Sequence, residues 1–213
     1  MARMEGAFPL HDLSLHIMDL IENSVNAQAS IIEVRIEIDK KLNWLCVQVE
    51  DDGKGLRASS EQTLDPFYTT ARSKRVGLGL SLFKAAAESA GGQLALSRSE
   101  DLGGTLVRAT MRLTHVDRVP FGDLAATIST MVFANPFVDF HLSLDSNDRS
   151  FDFRLSQFAR ERDLDADSNV DLASAVHGFL REELEAWEKS EMSGLRAQWN
   201  PVEAPYQGAE ISQ

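Results

Sequence analysis

Features that mark secreted, membrane-spanning and disulfide-rich proteins are missing from this sequence. One cysteine in 213 residues cannot form an intrachain disulfide, and such scarcity is typical of a reducing cytoplasm. No apolar run approaches about 18 residues and no signal-peptide pattern opens the chain, so we expect a soluble cytoplasmic protein with no membrane partner. The thiol, Cys46, lies in a strand pattern and is predicted to be a small core residue rather than a reactive one.

Positive charge is scarce as well. The chain has 21 Lys and Arg residues against 33 Asp and Glu residues, a net charge of -12. From His115 onward there are 18 acidic and 8 basic residues, a net charge of -10. Nucleic-acid-binding proteins present basic faces, so we expect no nucleic acid partner. The acidic part could dock a basic protein surface, although a solvated acidic face is the simpler interpretation.

The familiar glycine-rich phosphate motifs are also absent. The chain has no G-x-x-x-x-G-K-[ST] string, and its glycines lack the spacing of the dinucleotide fingerprint. Four other segments do follow one another in order: ENSVNA at 22–27, DDGKG at 51–55, DPFYTT at 65–70 and VGLGLSLF at 76–83. They are weak signals singly, but together they indicate a site for an adenine, a metal and a triphosphate.

The second segment predicts the adenine contact. Residues 44–50 alternate and carry β-branched and aromatic types, which predicts a strand that delivers Asp51 to a turn containing Gly53 and Gly55. A carboxylate can accept a hydrogen bond from the exocyclic amine of adenine, whereas guanine presents a carbonyl oxygen. Asp51 is therefore the predicted adenine reader. An ordinary acidic turn is the alternative, because Asp and Gly are the commonest turn residues.

The first segment predicts the metal contact. Apolar residues recur at three- and four-residue spacing over 11–28, which predicts a helix. Asp19 and Asn23 are four apart and share one face of it. The amide oxygen of Asn23 suits Mg²⁺, which keeps waters and takes further ligands from phosphates. Asp19 is then placed to hold a water or accept a proton at the γ-phosphate, although solvated helix surface is the alternative for both residues.

The last segment predicts the phosphate contact. Gly77 and Gly79 precede a helical pattern, and backbone amides at a helix start attract anions. The polar, basic stretch 69–75 just upstream is expected to be a mobile lid, although a solvated loop is the alternative for any one of its cations. The cations that could reach the β- and γ-phosphates are Arg72, Lys74 and Arg75.

The order and spacing of these segments resemble the GHKL superfamily, the ATP-binding domain of gyrase B, MutL-type mismatch-repair ATPases, sensor histidine kinases and anti-sigma serine kinases. The resemblance covers roughly residues 11–114. Asp19 and Asn23 match the N box, and Asp51 with its two glycines matches the D-x-G-x-G box. The resemblance implies an α+β fold, a two-layer α/β sandwich of the Bergerat type, with ATP and Mg²⁺ as cofactors.

The remaining boxes match later in the chain. Residues 65–70 resemble the F box, the glycine pair resembles the glycine box, and Gly104 with Thr105 matches the late G-T, whose hydroxyl is expected to join the Asp51 network. The implied ATP contacts are Asn23, Asp51, Gly53, Gly55, Thr69, Thr70, Lys74, Arg75, Gly77, Leu78, Gly79, Leu80 and Thr105, with Asn23 on the metal and Asp19 catalytic. Two residues depart from the family pattern: Asp52 stands where Asn is common, and Asp19 stands where Glu is usual, so that we expect slow hydrolysis from the shorter Asp19.

The rest of the chain predicts a small acidic α-β-β-α unit: a helix over 121–133, strands over 137–144 and 150–155, and a helix over 170–189. Ser168 or Asn169 would cap the last helix, with Asp171 in its first turn. We therefore predict an ATP-binding domain over 1–118, the accessory unit over 119–192 and a flexible tail over 193–213. The whole chain is similar to stand-alone histidine kinase-like ATP-binding proteins of anaerobic bacteria.

Three functions follow from the resemblance. The first is Mg-dependent phosphoryl transfer from ATP to a Ser, Thr or His of a partner protein in signalling. The second is a slow ATPase that switches a homodimer, and the third is an ATP or ADP sensor without turnover. The chain's own early histidines, His11 and His16, lack the context of a phospho-acceptor and are expected on the helix surface.

Overall fold

A computed structural model describes residues 12–55, 78–164 and 168–196. The F-box segment, the lid with Thr69, Thr70, Lys74 and Arg75, and Gly77 lie outside these residues. The described elements are α1 (Leu13–Asn26), β1 (Ile31–Asp39), β2 (Trp44–Asp51), α2 (Leu78–Ser89), β3 (Gln93–Arg98), β4 (Thr105–Arg112), α3 (Leu124–Ala134), β5 (Asp139–Ser146), β6 (Ser150–Arg154), α4 (Leu155–Glu161) and α5 (Asn169–Arg196).

All six strands form one sheet in the order β3-β4-β2-β1-β5-β6. The pairs within β3-β4-β2-β1 and the β5-β6 pair are antiparallel, whereas β5 runs parallel to β1. Ile32, Val34 and Ile36 of β1 are buried against the helices, and the alternate residues Glu33 and Arg35 face the other side. Helices cover one face of the sheet, so the predicted two-layer α+β sandwich is confirmed.

The helix that carries the N box starts at a side-chain cap. Asp12 accepts a hydrogen bond from the backbone N–H of Leu15 at 3.0 Å, which satisfies one of the free amides of the first turn. Leu13, Ile17 and Ile21 are fully buried against the sheet. Burial of this stripe orients α1, so that the opposite face, with Asn23, is exposed.

The helix α1 is also bound to the segment 113–123, which we call the strap. The backbone N–H groups of Leu13 and Ser14 donate to the carbonyl oxygens of Pro120 and Phe121 at 2.8 and 3.0 Å. Within the strap, Arg118 is buried and donates to the carbonyl oxygens of Leu113 and Val119. The strap therefore joins the start of the C-terminal part to the first turn of α1.

The predicted helix-strand-strand-helix order of the C-terminal part is confirmed, and Ser168 directly precedes α5, with Asp171 in its first turn. The short helix α4 was missed because seven residues carry too little periodicity. It forms through tertiary contacts: Phe158 is buried, and the backbone N–H of Ser156 donates to Asp139 at 2.9 Å. The strands β5 and β6 extend the same sheet as β1, so the two predicted units share one sheet. The domain boundary at 118 stays a prediction.

None of the helices in the described part of the chain combines the length and the apolar character needed to cross a membrane.

Candidate nucleotide-binding site

The predicted adenine reader, Asp51, ends β2 as a buried carboxylate with 4% of its surface exposed. Its Oδ1 accepts hydrogen bonds from the backbone N–H groups of Gly53 and Thr105, at 2.9 and 3.1 Å. Its Oδ2 accepts from the Ser24 hydroxyl at 2.7 Å. A carboxylate oxygen can accept about two hydrogen bonds, so Oδ2 keeps capacity for one further donor.

Ser24 is the site residue that sequence reasoning missed. It lies one turn beyond Leu20 on α1, is 4% exposed, and locks the N-box helix to the end of β2 through Asp51. A sequence signal for Ser24 was present, because this polar residue directly follows Asn23 and falls on the apolar, buried stripe of the helix. Its contact with a residue 27 positions away depends on how α1 packs on the sheet.

Thr105 contacts Asp51 through its backbone amide, whereas the family resemblance pointed to its hydroxyl. The residue before Thr105, Gly104, explains how close the start of β4 comes to the end of β2. A Cβ on Gly104 would lie 2.3 Å from both the backbone oxygen and Oδ1 of Asp51, and 2.6 Å from the nitrogen of Gly53. Only glycine allows this approach, and Gly55, which has a φ of 70°, lies alongside Gly104.

Asp52 has a structural task beside the site. Its Oδ1 accepts from the backbone N–H groups of Ser30 and Ile31 at 2.7 and 2.9 Å, and its Oδ2 accepts from the Ser30 hydroxyl. Burial raises the pKa of Asp52, but these hydrogen bonds outweigh it and bring the pKa below its ordinary value. Asp52 therefore fixes the connection between α1 and β1.

The predicted catalytic residue, Asp19, lies against the start of α2. A Cβ on Gly79 would be 2.6 Å from Asp19 Oδ2 and 2.8 Å from Asp19 Cβ, so only glycine permits the two helices to approach here. Two segments that are about 60 residues apart in sequence, the N box and the glycine box, thus meet in space. Leu78 begins α2, whereas the side chain of Leu80 is buried in the core.

Asn23 lies one turn after Asp19 with an exposed side chain. The described residues contain no group of three or more His, Cys, Asp or Glu side chains arranged to hold a metal. Mg²⁺ does not need one, because it takes most of its ligands from water and phosphate oxygens. The exposed amide oxygen of Asn23 fits this requirement as the protein ligand.

Two predictions about single residues had different outcomes. His16 is buried and stacks on Phe83 of α2, with ring centroids 4.8 Å apart, so its predicted surface position was wrong. The packing of α2 over α1 covers it, while His11 lies outside the described residues. Cys46 is buried as predicted, and burial raises the pKa of its thiol despite a hydrogen bond from Arg108.

Comparison with known families identifies the class. Residues 11–115 match the family described as histidine kinase-, DNA gyrase B- and HSP90-like ATPase. This part of the chain is therefore a GHKL ATPase domain, a class whose activity implies ATP binding. It holds the N box, the Asp51 turn, the start of α2 and Thr105. The likeness of the whole chain to stand-alone histidine kinase-like proteins stays a prediction.

Two solved structures are similar in part. The N-terminal domain of a DNA repair protein has 17% sequence identity and a TM-score of 0.47, covering 68% of this chain and 51% of that one. The ATPase domain of Aquifex aeolicus MutL complexed with ADP has 20% identity and a TM-score of 0.33, covering 66% and 62%. This chain thus spans less than two thirds of the length of either. No curated protein matches it.

Proposed function

We propose that this protein binds Mg-ATP between α1, the end of β2 and the start of α2, and transfers the γ-phosphoryl group to a partner protein in signalling. The observation that carries the proposal is the environment of Asp51. A buried carboxylate held by Ser24, Gly53 and Thr105, with one acceptor position remaining, suits the exocyclic amine of adenine.

The burial of Asp51 supports selection of the base. A buried carboxylate that meets a donor gains a hydrogen bond that water cannot replace, whereas the carbonyl oxygen of guanine would leave two acceptors facing each other. Three internal hydrogen bonds hold Asp51 in one position, so the carboxylate cannot turn away to accommodate the wrong base.

The contact of Asp19 with Gly79 supports the chemical role. A carboxylate at the start of α2 lies where the glycine box would hold the phosphates, and could accept the proton of an attacking hydroxyl or orient a water. Asn23, one turn later, would hold Mg²⁺. The metal, when bound, would neutralise charge that develops on the phosphates.

A slow ATPase switch or a nucleotide sensor is the second candidate. The same contact favours it, because Asp19 is packed against Gly79 and is one methylene shorter than the usual Glu. Such a carboxylate would reach an attacking group through a water, which predicts slow intrinsic hydrolysis.

Calorimetry tests the adenine contact. Asp51→Asn keeps an oxygen for Gly53 and Thr105 but turns an amide NH₂ toward the base, so ATP affinity should fall by about 1–3 kcal/mol while the fold persists. Asp101→Asn, the same change at an exposed loop residue, should bind ATP as the parent does. Equal affinity of the parent for GTP and ATP, or parental affinity in Asp51→Asn, would refute the assignment.

Labelled ATP separates phosphoryl transfer, slow hydrolysis and sensing without turnover. The protein is incubated with Mg²⁺ and γ-labelled ATP in a nucleotide-free cell extract of the organism that carries the gene. Label on a protein with the parent and not with Asp19→Asn supports transfer. Free phosphate alone supports the ATPase, and neither product supports the sensor.

A further inference from the structure

A cavity of about 300 Å³ lies between the start of α3 and the middle of α5. Its walls are largely apolar and include Phe121, Leu124, Leu184 and Trp187. It is separate from the nucleotide site: Phe121 contacts Ser14 in the first turn of α1, and Ser24 lies roughly 15 Å further along the helix axis.

One wall carries an unsatisfied donor. Trp187 is 4% exposed, and its Nε1 has no hydrogen-bond partner in the described part of the chain. Buried indole N–H groups ordinarily have a partner, and this one is covered by protein rather than open to the cavity. The side chain of Trp187 lines the cavity, so its indole signal would report a ligand, and the apolar walls require that this ligand be apolar.

Acidic residues outnumber basic ones among the residues that line the cavity. Asp123, Glu185 and Glu188 line it together with one basic residue, Arg181. Anionic ligands are therefore disfavoured and cationic ones attracted. Glu185 shares an exposed pair with Lys189 at 3.8 Å, which a docked cation can displace because such pairs contribute little.

We propose that this cavity receives two neighbouring apolar side chains from a basic, amphipathic segment of a partner protein. A cavity of about 150 Å³ holds one benzene-sized group, so one of about 300 Å³ has room for two apolar side chains. Flanking Lys or Arg side chains of the segment pair with Glu185 and with Asp123 Oδ2, since Asp123 Oδ1 accepts from the backbone N–H of Ala126 at 2.8 Å. An apolar anchor in a pocket surrounded by complementary charge is a common arrangement at helix-in-groove interfaces. The proposal does not depend on ATP turnover.

A synthetic amphipathic peptide of leucine and lysine is the probe, and the leucine and glutamate peptide of the same pattern is its control. The indole N–H signals of the ¹⁵N-labelled full chain are followed by NMR, with Trp187→Phe to assign Trp187. The leucine and lysine peptide should shift the Trp187 signal and leave that of Trp44 in place, and the glutamate peptide should shift neither.

Charge-reversal variants test whether binding is local. Glu185→Lys should weaken binding of the leucine and lysine peptide at least tenfold. Glu182→Lys is the matched control, because Glu182 is exposed on the same helix but outside the cavity, and it should change affinity less than twofold. Equal weakening by both variants, or no shift of Trp187, would refute the proposal. A Trp187 shift that appears with protein concentration and a dimer mass, without peptide, would assign the cavity to a second copy instead.

Discussion

At the scale of single residues, two positions of the candidate site must be glycine because an aspartate lies too close for a Cβ atom, not because of the backbone conformation. Gly104 leaves no room for a Cβ beside Asp51, and Gly79 leaves none beside Asp19. In each pair, the glycine comes from one motif and the carboxylate from another. Close packing at these two glycines therefore keeps the motifs next to each other before any nucleotide binds.

Gly79→Ala tests the contact with Asp19. The new Cβ would lie 2.8 Å from Asp19 Cβ, which cannot rotate away, so the helices must shift and the free energy of unfolding should fall by about 1–3 kcal/mol. Gly178→Ala in α5 is the control, since nothing lies within 4 Å of the added atom. Gly178→Ala should raise the free energy of unfolding, measured by urea denaturation, by roughly 0.5–1 kcal/mol. Parental stability of Gly79→Ala would show that α1 and α2 are not in contact there.

At the scale of elements, α5 is attached to two turns of the sheet through one buried carboxylate. Glu191 is 2.7 Å from Lys40 Nζ, in the β1-β2 turn, and accepts from Ser146 Oγ, at the end of β5, at 2.6 Å. Burial raises the pKa of Glu191, but hydrogen bonds from Lys40, Ser146 and Ser190 outweigh it, so the pKa lies below its ordinary value. This attachment places the cavity wall of α5 against β5.

Lys40→Met should destabilise the fold more than Glu191→Gln does. Lys40→Met leaves a buried carboxylate without its cation and should lower the free energy of unfolding by about 2 kcal/mol. Glu191→Gln leaves a lysine that is 31% exposed and can turn to water, so the free energy of unfolding should fall by only about 1 kcal/mol. Lys189→Met, which breaks an exposed pair, is the control and should change it by less than about 0.5 kcal/mol. Denaturant titrations measure all three.

The sign of the pH effect is a second readout of the same variants. A carboxyl group whose folded pKa is depressed stabilises the fold above its unfolded pKa, and the contribution is lost as pH falls through the folded pKa. The difference between the parent and Glu191→Gln should therefore be full near neutral pH and vanish in acid. A difference that grows on acidification would contradict the assigned interaction.

At the scale of the whole molecule, the C-terminal part completes the sheet that carries the nucleotide site. The strand β5 pairs with β1 over eight residues, from Ile31 to Ile38, and the strap holds the first turn of α1. A chain ending at residue 118 would expose β1 as an edge strand with its apolar face partly uncovered.

We expect the full chain to unfold in one cooperative transition and the 1–118 fragment to aggregate or melt without a clear transition. Calorimetry on both measures this, with equal calorimetric and van't Hoff enthalpies as the criterion for the full chain. A chain ending at residue 196 is the control, because it keeps every described element. A 1–118 fragment that melts as sharply as the full chain would instead support the predicted two-domain division.

Local chemistry was predictable from the sequence alone. The apolar spacing of α1, the alternation of β2 and the turn residues after Asp51 are properties of neighbouring residues, and they predicted elements that differ from the observed ones by a few positions. The same holds for the accessory elements other than α4 and the end of α5, which lies at Arg196 rather than at the predicted 189. The residue types of the motifs predicted a nucleotide site, and the ATPase class was implied by the resemblance of their order and spacing to the GHKL superfamily.

Tertiary structure alone decided which groups meet. The hydroxyl of Ser24, the amide of Thr105 and the burial of His16 depend on how α1, β4 and α2 pack, which no local pattern specifies. The parallel pairing of β5 with β1 depends on a connection of about 100 residues. Such contacts form because buried polar groups must find partners and apolar faces must be covered, and both requirements are satisfied only once the whole sheet is assembled.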